Sequence, residues 1–278
     1  MRKKSILAVV AAVMVFAGTA EAEVVGRHAI HNFSEEQAAI EMAAHQGIAD
    51  ITDIYVGVDV NSISLKYYDS LASLLLALVN HEVDSITVPR PVGRYILENN
   101  PSLTLKGFNW WNIRSSASMN FGFLEENAGL MKRFNEALDS MKSDGTLAVL
   151  EKKYVDDFRE NGMIPAKFEK FDDAETITVA VTGDLPPMDY INADGTPAGF
   201  NAAVLSEIAK RLRVNLKVMN IETGARIAAL SSGRADVIFW VHGNIDSNVR
   251  GEMCDTAEGL ITSKPYYTWH EHYFISSK

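Results

Sequence analysis

Polar side chains stand at the ends of predicted buried strands, where they could hold a small molecule. Thr182 and Asp184 directly follow the apolar run 177–181, and Trp240 and His242 lie at the end of the run 236–241. In α/β sheets, ligands bind in the crevice outside the carboxyl ends of the strands. A hydroxyl, a carboxylate, an indole and an imidazole offer donors, acceptors and a stacking surface. The spacing therefore predicts a crevice for a small polar ligand, although a core tryptophan, a surface histidine and a plain strand-to-helix loop are the alternatives.

A second polar pair precedes a predicted helix. Asp69 and Ser70 stand at the beginning of the apolar, helically spaced segment 68–80, so that the helix N-terminus could face the same crevice. The sequence contains no nucleophile elbow, P-loop or dinucleotide-binding fingerprint, so we expect no cofactor. His270 and His272 lack a third histidine or a cysteine nearby, and a metal site is not expected.

The elements that must position these residues occur twice. Ala77-Leu78 is followed six residues after the leucine by Asp84, and Ala229-Leu230 is followed at the same spacing by Asp236. In each copy an apolar helix passes through a short polar turn into a β-rich run. Helices that alternate with strands indicate a mostly parallel sheet. We therefore expect an α/β protein with two lobes and a ligand cleft between them, unless the short pattern recurs by chance.

The N-terminus and the composition place the protein outside the cytoplasm. Residues 1–22 combine a basic start, a short apolar run and a small-residue cleavage motif, which predicts a signal peptide cleaved after Ala22 and a periplasmic product. The net charge of −10 disfavours nucleic acid and anionic membranes as partners. The single cysteine, Cys254, excludes an intrachain disulfide framework.

Longer motifs in the C-terminal half resemble a known family. The run from residue 177 through Pro187-Met188 to Gly199-Phe200, and then Ser263-Lys-Pro265, resembles the opening of the amino-acid-type (family 3) periplasmic solute-binding proteins of ABC transporters. The segment from Tyr68 to Tyr154 resembles the closing part of the same family, including an Asn-x-Ala-Leu helix and an Asp-Gly turn.

The order of the two segments is reversed relative to the family, which indicates a circular permutation. We expect a smaller lobe at 23–117, completed by a returning strand within 266–278, and a larger lobe at 118–265, with a linker at about 159–176. The strand 177–181 should then share a sheet with the extended segment 119–123. The alternative is a truncated copy followed by half a copy, completed only by dimerisation.

The resemblance implies roles for further residues. The loop after strand 177–181 gives the family an apolar wall and polar contacts near the ligand, which places Thr182, Asp184, Leu185 and Met188 there. An arginine after the Asp236 strand usually binds the ligand carboxylate. Arg250 is the nearest candidate in this chain and Arg226 the second, and a surface role for Arg250 is the alternative.

One departure from the family bears on the ligand. The family's ammonium-binding aspartate is replaced by Pro89, followed by Arg90, which offers an anion a partner from the smaller lobe. Either another acid, Asp184 or Asp69, takes an ammonium group, or the ligand lacks one. The full set of candidate ligand-binding residues is Thr182, Asp184, Leu185, Met188, Trp240, His242, Arg250, Arg90, Asp69 and Ser70.

The resemblance implies a non-enzymatic receptor. Such a receptor closes on a small polar ligand, an amino acid or related carboxylate, by a hinge motion and presents it to the membrane permease of an ABC transporter. The alternative is a periplasmic enzyme on the same fold, similar to cyclohexadienyl dehydratases, for which Asp184 and His242 are the suggestive acid/base pair. A third possibility is a half-receptor that works only as a dimer or with a sensor partner.

Overall fold

The computed structural model describes residues 23–28, 63–110, 117–161, 164–244, 259–269 and 271–278. The predicted signal peptide and Arg250 lie outside these residues. The strands are β1 (Glu23–His28), β2 (Ile63–Tyr68), β3 (Ser85–Pro89), β4 (Leu103–Trp110), β5 (Ala117–Leu124), β6 (Thr176–Val181), β7 (Asp184–Leu185), β8 (Asp189–Ile191), β9 (Pro197–Ala198), β10 (Asn215–Asn220), β11 (Val237–Asn244), β12 (Leu260–Thr262), β13 (Tyr267–Trp269) and β14 (Glu271–Ser277). The α-helices are α1 (Leu71–Val79), α2 (Arg90–Asn99), α3 (Ala128–Ser143), α4 (Thr146–Glu151), α5 (Phe158–Asn161), α6 (Phe200–Leu212) and α7 (Arg226–Ser231).

The first sheet has the strand order β2-β1-β3-β14-β4. β1 runs parallel to β2 and β3, whereas β14 runs antiparallel to β3 and β4. All five residues of β3 are buried, as expected for an interior strand of a parallel arrangement. The last strand of the chain is thus inserted between two strands that precede it by more than 150 residues.

The second sheet has the order β10-β6-β11-β5-β12, and β13 also pairs with β5. β6 runs parallel to β10 and β11, and β5 runs antiparallel to β11. β5 and β6 therefore lie in one sheet, as the sequence predicted. A small third sheet, β7-β8-β9, carries the loop that follows β6. The two main sheets with their helices confirm the predicted two-lobed α/β fold class.

Helix α1 shows why these segments become helical and where they pack. Its buried residues recur at helical spacing, with Leu71, Leu74 and Leu78 on one face, and that face contacts the first sheet. Ser70 caps the N-terminus in an extended conformation, so the helix begins at residue 71 rather than at the predicted residue 68. Tyr68 belongs to β2 instead.

The hydrophobic core joins the two sheets. One cluster contains Leu74 and Val88 from the first sheet's side together with Phe121 and Val179 from the second sheet. At a separate place, the guanidinium of Arg94 on α2 donates to the backbone carbonyls of Val155 and Asp156, in the π-helical turn after α4. The core cluster and the Arg94 contacts therefore both link the part of the chain around the first sheet to the part around the second.

Candidate functional site

The carboxylate of Asp184 connects elements of the two sheets. Asp184 begins β7, just after β6, and its Oδ2 accepts a hydrogen bond from the Leu71 backbone N–H at 2.9 Å. The same oxygen lies 3.2 Å from Nε2 of His28, the last residue of β1. One carboxylate oxygen therefore contacts both the N-terminus of α1 and the carboxyl end of a central strand of the first sheet.

The surroundings of Asp184 favour its charged form. Burial by itself would raise its pKa, but the hydrogen bond and charge of His28, the Leu71 N–H and a smaller contribution from Thr182 hold the pKa of this carboxyl below its ordinary value. The Asp184 side chain is 29% exposed, whereas the His28 side chain is completely buried. Asp184 is thus ionised at neutral pH. Its Oδ1 is buried and has no hydrogen-bond partner among the described residues.

Asp189 lies beneath this site and supports the loop. Its Oδ2 accepts hydrogen bonds from the Thr182 backbone N–H, the Thr182 hydroxyl and the Gly183 N–H, at 3.0–3.2 Å. Burial raises the pKa of Asp189 to about 6 despite these hydrogen bonds, and the nearby charge of Asp184 adds to the increase. Thr182 is therefore oriented by Asp189.

Glycine is required at position 183 for this loop to pass so close to its neighbours. Gly183 has a φ of +68°, which side chains other than glycine rarely adopt. A β-carbon there would also collide with the side chain of Ile191 and lie 2.7 Å from the amide nitrogen of Asn220. The tight turn at Gly183 therefore sets the direction of the chain between the end of β6 and Asp184.

The N-terminus of α1 meets the second sheet's elements at a second place. The Ser70 hydroxyl accepts a hydrogen bond from the Ser73 N–H at 3.1 Å, which satisfies one free donor of the helix. The backbone carbonyl of Asp69 accepts a hydrogen bond from the Thr223 hydroxyl at 3.4 Å, while Asp69 itself is exposed. The structure thus brings Thr182, Asp184, Asp69 and Ser70 into one region.

The other predicted site residues have different surroundings. Leu185 and Met188 are buried in the shared core, so they support the loop from beneath. Arg90 is exposed at the start of α2. Trp240 and His242 lie on β11, where His242 pairs with Met119 of β5, but their side chains are outside the described part of the structure. The predicted role of each remains a prediction.

Arg226, the second arginine candidate for a ligand carboxylate, is buried. Its guanidinium donates to the backbone carbonyls of Phe239, at 2.6 Å, and Thr223, at 3.3 Å. These contacts tie α7 to β11. Arg226 therefore has structural partners within its own lobe.

Sequence reasoning missed His28 and Asp189. His28 ends β1 and is separated from the apolar pair Val24-Val25 by Gly26 and Arg27, so no local pattern marks it as a site residue. Asp189 directly follows the predicted site residue Met188, yet nothing in the sequence indicates that its carboxyl group is buried. Both residues become visible as site components only through contacts made in the folded chain.

Within the described residues, no group of three or more His, Cys, Asp or Glu side chains could hold a metal ion. His272 is buried on β14, where its Nε2 accepts a hydrogen bond from the Trp269 indole at 2.8 Å. No helix in the described ranges is long and apolar enough to cross a membrane. Among the described residues, the site offers hydrogen-bonding groups, the charge of Asp184 and the imidazole of His28.

Comparison with known proteins gives one sequence match and several distant structural likenesses. Residues 177–255 match the bacterial extracellular solute-binding proteins, family 3. No curated protein sequence matches the chain. The match starts at β6 and includes the Thr182–Asp189 loop, so it covers the larger part of the candidate site.

Three solved structures illustrate the likenesses. The ligand-binding component of an ABC-type import system from Staphylococcus aureus has 9% identity and a TM-score of 0.44, over 93% of this chain and 66% of that one. The substrate-binding protein of an amino acid ABC transporter has 13% identity and a TM-score of 0.37, over 92% and 85%. A periplasmic substrate-binding protein of an ABC transporter from Coxiella burnetii has 10% identity and a TM-score of 0.36, over 92% and 85%.

This chain spans just under two thirds of the length of the Staphylococcus aureus protein. All three TM-scores are below 0.5, so the family resemblance rests on the sequence match over residues 177–255. That match confirms, for residues 177–255, the resemblance to the bacterial extracellular solute-binding proteins of family 3 that the sequence motifs carry.

Proposed function

We propose that this protein is an extracytoplasmic receptor that captures a small polar ligand between two lobes for the permease of an ABC transporter. The observation that carries the proposal is the position of Asp184, whose carboxylate lies between the carboxyl end of β1 and the N-terminus of α1. Ligands of α/β proteins bind at such strand ends. The family match over the Asp184 loop supports a binding role.

The lobes follow the chain as the sequence predicts. The smaller lobe comprises 23–117 with the returning strand within 266–278, and the larger lobe comprises 118–265. The first sheet takes its strands from both parts of the smaller lobe, which supports this division. The reversed segment order is a circular permutation of the family's arrangement, and residues 1–22 direct export and are removed after Ala22.

The ligand is an amino acid or a related carboxylate. Asp184 is ionised and has a buried oxygen without a described partner, so it can accept a hydrogen bond from an ammonium group. Asp69 is exposed and uses its backbone carbonyl to contact Thr223, which makes it the weaker candidate. Arg90 and the N-terminus of α1 supply positive potential for a carboxylate. Trp240, His242 and Arg250 complete the proposed set.

A thermal-shift screen followed by calorimetry tests the proposal. The mature protein is screened against amino acids and their deaminated analogues, and a ligand present at one hundred times its Kd stabilises the fold by about 2.7 kcal/mol. We expect Asp184→Asn to weaken amino acid binding at least about tenfold, since one charge-assisted hydrogen bond is lost. Trp240→Ala should weaken binding by about 1 kcal/mol if the indole stacks on the ligand.

The matched control is Asp194→Asn. Asp194 is exposed, and in the described part of the chain its carboxylate accepts hydrogen bonds from Thr196 of its own turn. This variant should bind as the unmodified protein does. Absence of any stabilising small molecule would contradict the receptor proposal, and equal binding of amino acids and deaminated analogues would contradict the role given to Asp184.

The contact between Asp184 and His28 favours a second candidate function. A carboxylate 3.2 Å from a buried imidazole is a usable acid/base pair. A periplasmic enzyme similar to cyclohexadienyl dehydratases would use such a pair, with His28 in the place that the sequence suggested for His242. Incubation with prephenate and detection of the aromatic product by absorbance decides between the two. Turnover that is lost in Asp184→Asn supports the enzyme, and ligand binding without turnover supports the receptor.

A further inference from the structure

Hydrogen bonds between side chains and backbone groups connect the two lobes at the site. Asp184 on the larger lobe contacts Leu71 and His28 on the smaller lobe, and Thr223 on the larger lobe contacts the Asp69 carbonyl. Each of these partners stands at an end of a strand or helix.

Leu71 is suited to bind a carboxylate from outside its own helix. It is the first residue of α1, and the first N–H groups of a helix have no partner within the helix. The Ser70 hydroxyl accepts its hydrogen bond from the Ser73 N–H, and the Leu71 N–H donates to Asp184. A negative charge at a helix N-terminus is stabilised by the helix dipole. His28, completely buried, contacts the same oxygen from the other side.

We propose that Asp184 acts as a latch, which we define as its contacts with His28 and the Leu71 N–H. This latch keeps the ligand-free receptor closed. The proposal rests on the receptor function and names a regulation of its binding site. A hinge-type receptor exchanges between open and closed states, and a bond made only in the closed state shifts that equilibrium without a ligand. The latch therefore sets how much of the receptor is open to admit a ligand.

The latch is separate from the Arg94 junction between the lobes. Arg94 on α2 contacts carbonyls at 155 and 156 and lies over the ring of Phe158 at 5.1 Å. None of these groups contacts Asp184. Loss of the latch should therefore leave the Arg94 junction in place, and this junction can act as the point about which the lobes separate.

Four variants isolate the latch. Asp184→Asn removes the charge at nearly constant shape. Leu71→Pro removes the N–H at a first helical position that accepts proline, and Ser70 before it has the extended φ of −141° and ψ of 153° that precede proline well. Leu71→Ala is its matched control, because it shortens the same buried side chain and keeps the N–H. Asp194→Asn controls for the loss of a carboxylate outside the latch.

Spin labels report the distance between the lobes in the ligand-free protein. Leu76 on α1 is 60% exposed and Lys210 on α6 is exposed, so both accept a label after replacement by cysteine in a Cys254→Ser background. We expect one short distance in the otherwise unmodified protein. Asp184→Asn and Leu71→Pro should show a longer or broader distribution, and Leu71→Ala and Asp194→Asn should match the unmodified protein. Circular dichroism verifies that each variant is folded.

Amide hydrogen exchange at Leu71 provides the second measurement, which remains informative if Leu71→Pro fails to fold. Among the described residues, Asp184 is the partner of the Leu71 N–H, so Asp184→Asn should raise its exchange rate about tenfold or more. Unchanged distances in folded Asp184→Asn, together with unchanged Leu71 exchange, overturn the latch. Both measurements are made without ligand. If Asp184→Asn changes the distance and the Leu71 exchange rate but the protein binds no small molecule, the receptor proposal alone is refuted. If the protein binds a small molecule but Asp184→Asn changes neither the distance nor the exchange rate, the latch alone is refuted.

Discussion

Asp184 and Asp189 lie five residues apart, yet the fold gives their carboxyl groups opposite environments. Asp184 reaches donors on the other lobe, and its pKa is held below the ordinary value. Asp189 points into the protein, where burial raises its pKa to about 6. Asp184 thus supplies a negative charge at the site, whereas Asp189, the same type of residue, binds a proton more readily and supports the loop from beneath. The difference comes from what each carboxylate contacts.

Asp189 should make stability depend on pH. Its folded pKa, about 6, is above the unfolded value of 3.8, so between about pH 4 and pH 6 the folded state binds more protons than the unfolded state. The free energy of unfolding therefore falls as the pH rises through this window, by about 3 kcal/mol for this residue alone. Asp189→Asn should remove that decrease in urea unfolding measured across the window.

Asp184 acts at lower pH and with the opposite sign. Its lowered pKa contributes stability above the unfolded value, which is lost as the pH falls through the folded value.

The control for the Asp189 prediction is Asp194→Asn, which changes an exposed carboxyl. It should keep the decrease in the free energy of unfolding between about pH 4 and pH 6. The same pH dependence in Asp189→Asn and in the unmodified protein would contradict the assignment.

At the scale of elements, α1 has two separate tasks at its N-terminus. Ser70 caps the helix through Ser73, and Leu71 presents its N–H to Asp184. The buried face of α1, which includes Leu74 and Leu78, fixes the helix on the first sheet. The helix therefore stabilises its own lobe and offers a hydrogen-bond donor to the other lobe.

Loss of the cap should cost measurable stability. Ser70→Ala removes the oxygen that accepts the Ser73 N–H, and we expect a loss of about 1 kcal/mol in the free energy of unfolding. Ser232→Ala is the matched control, because the exposed Ser232 follows α7 and its hydroxyl donates back to the Ala228 carbonyl. Its effect should stay within about 0.5 kcal/mol. Equal effects of the two changes in urea unfolding would refute the capping role.

At the scale of the whole molecule, the described chain begins and ends at the same edge of the first sheet. β1 starts at Glu23, which pairs with Lys106 at 2.6 Å, and β14 ends beside β4, where Ile275 is in register with Leu105. β1 and β14 are both neighbours of β3, so they lie about 10 Å apart at the usual strand spacing. Ends that lie this close permit a chain to be closed and reopened elsewhere.

A re-permuted chain should therefore fold. The re-permuted chain starts at residue 162, continues to 278, joins through a short Gly/Ser linker to residue 23 and ends at residue 161, so that no residue after 22 is removed. We expect cooperative thermal unfolding within about 10 °C of the original chain, since the sheets keep all their strand pairs. Circular dichroism and calorimetry give the comparison.

The control chain is opened inside α3, between the buried residues Ala137 and Leu138, with the same linker. It should lose the cooperative transition, because the break interrupts a helix that packs in the core. If the chain opened before residue 162 also fails to unfold cooperatively, the interpretation of the segment order as a circular permutation is wrong.

The sequence by itself determined the local elements and the family resemblance of residues 177–255. The apolar runs 83–88 and 177–181 became β3 and β6, and the helical spacing after Ser70 became α1. The Thr182–Met188 loop was placed at the site because local chain order fixes which residues follow a strand. β2 and β4 escaped detection, since each lies at an end of the strand order and β4 exposes residues such as Leu105. Edge strands are less enclosed than interior strands and lack the continuous apolar run of an interior strand.

The tertiary structure decided which of these elements meet. His28 and Asp184 are 156 residues apart, and their contact depends on how two sheets are placed, which no local pattern encodes. In the same way, Leu185 and Met188 are in the core and Asp189 is buried because the loop folds back onto α6 and the second sheet. Hydrophobic burial selects the apolar face of each element but carries no information about which polar group will stand opposite it. The partner of Asp184 therefore follows from the packing of the whole chain.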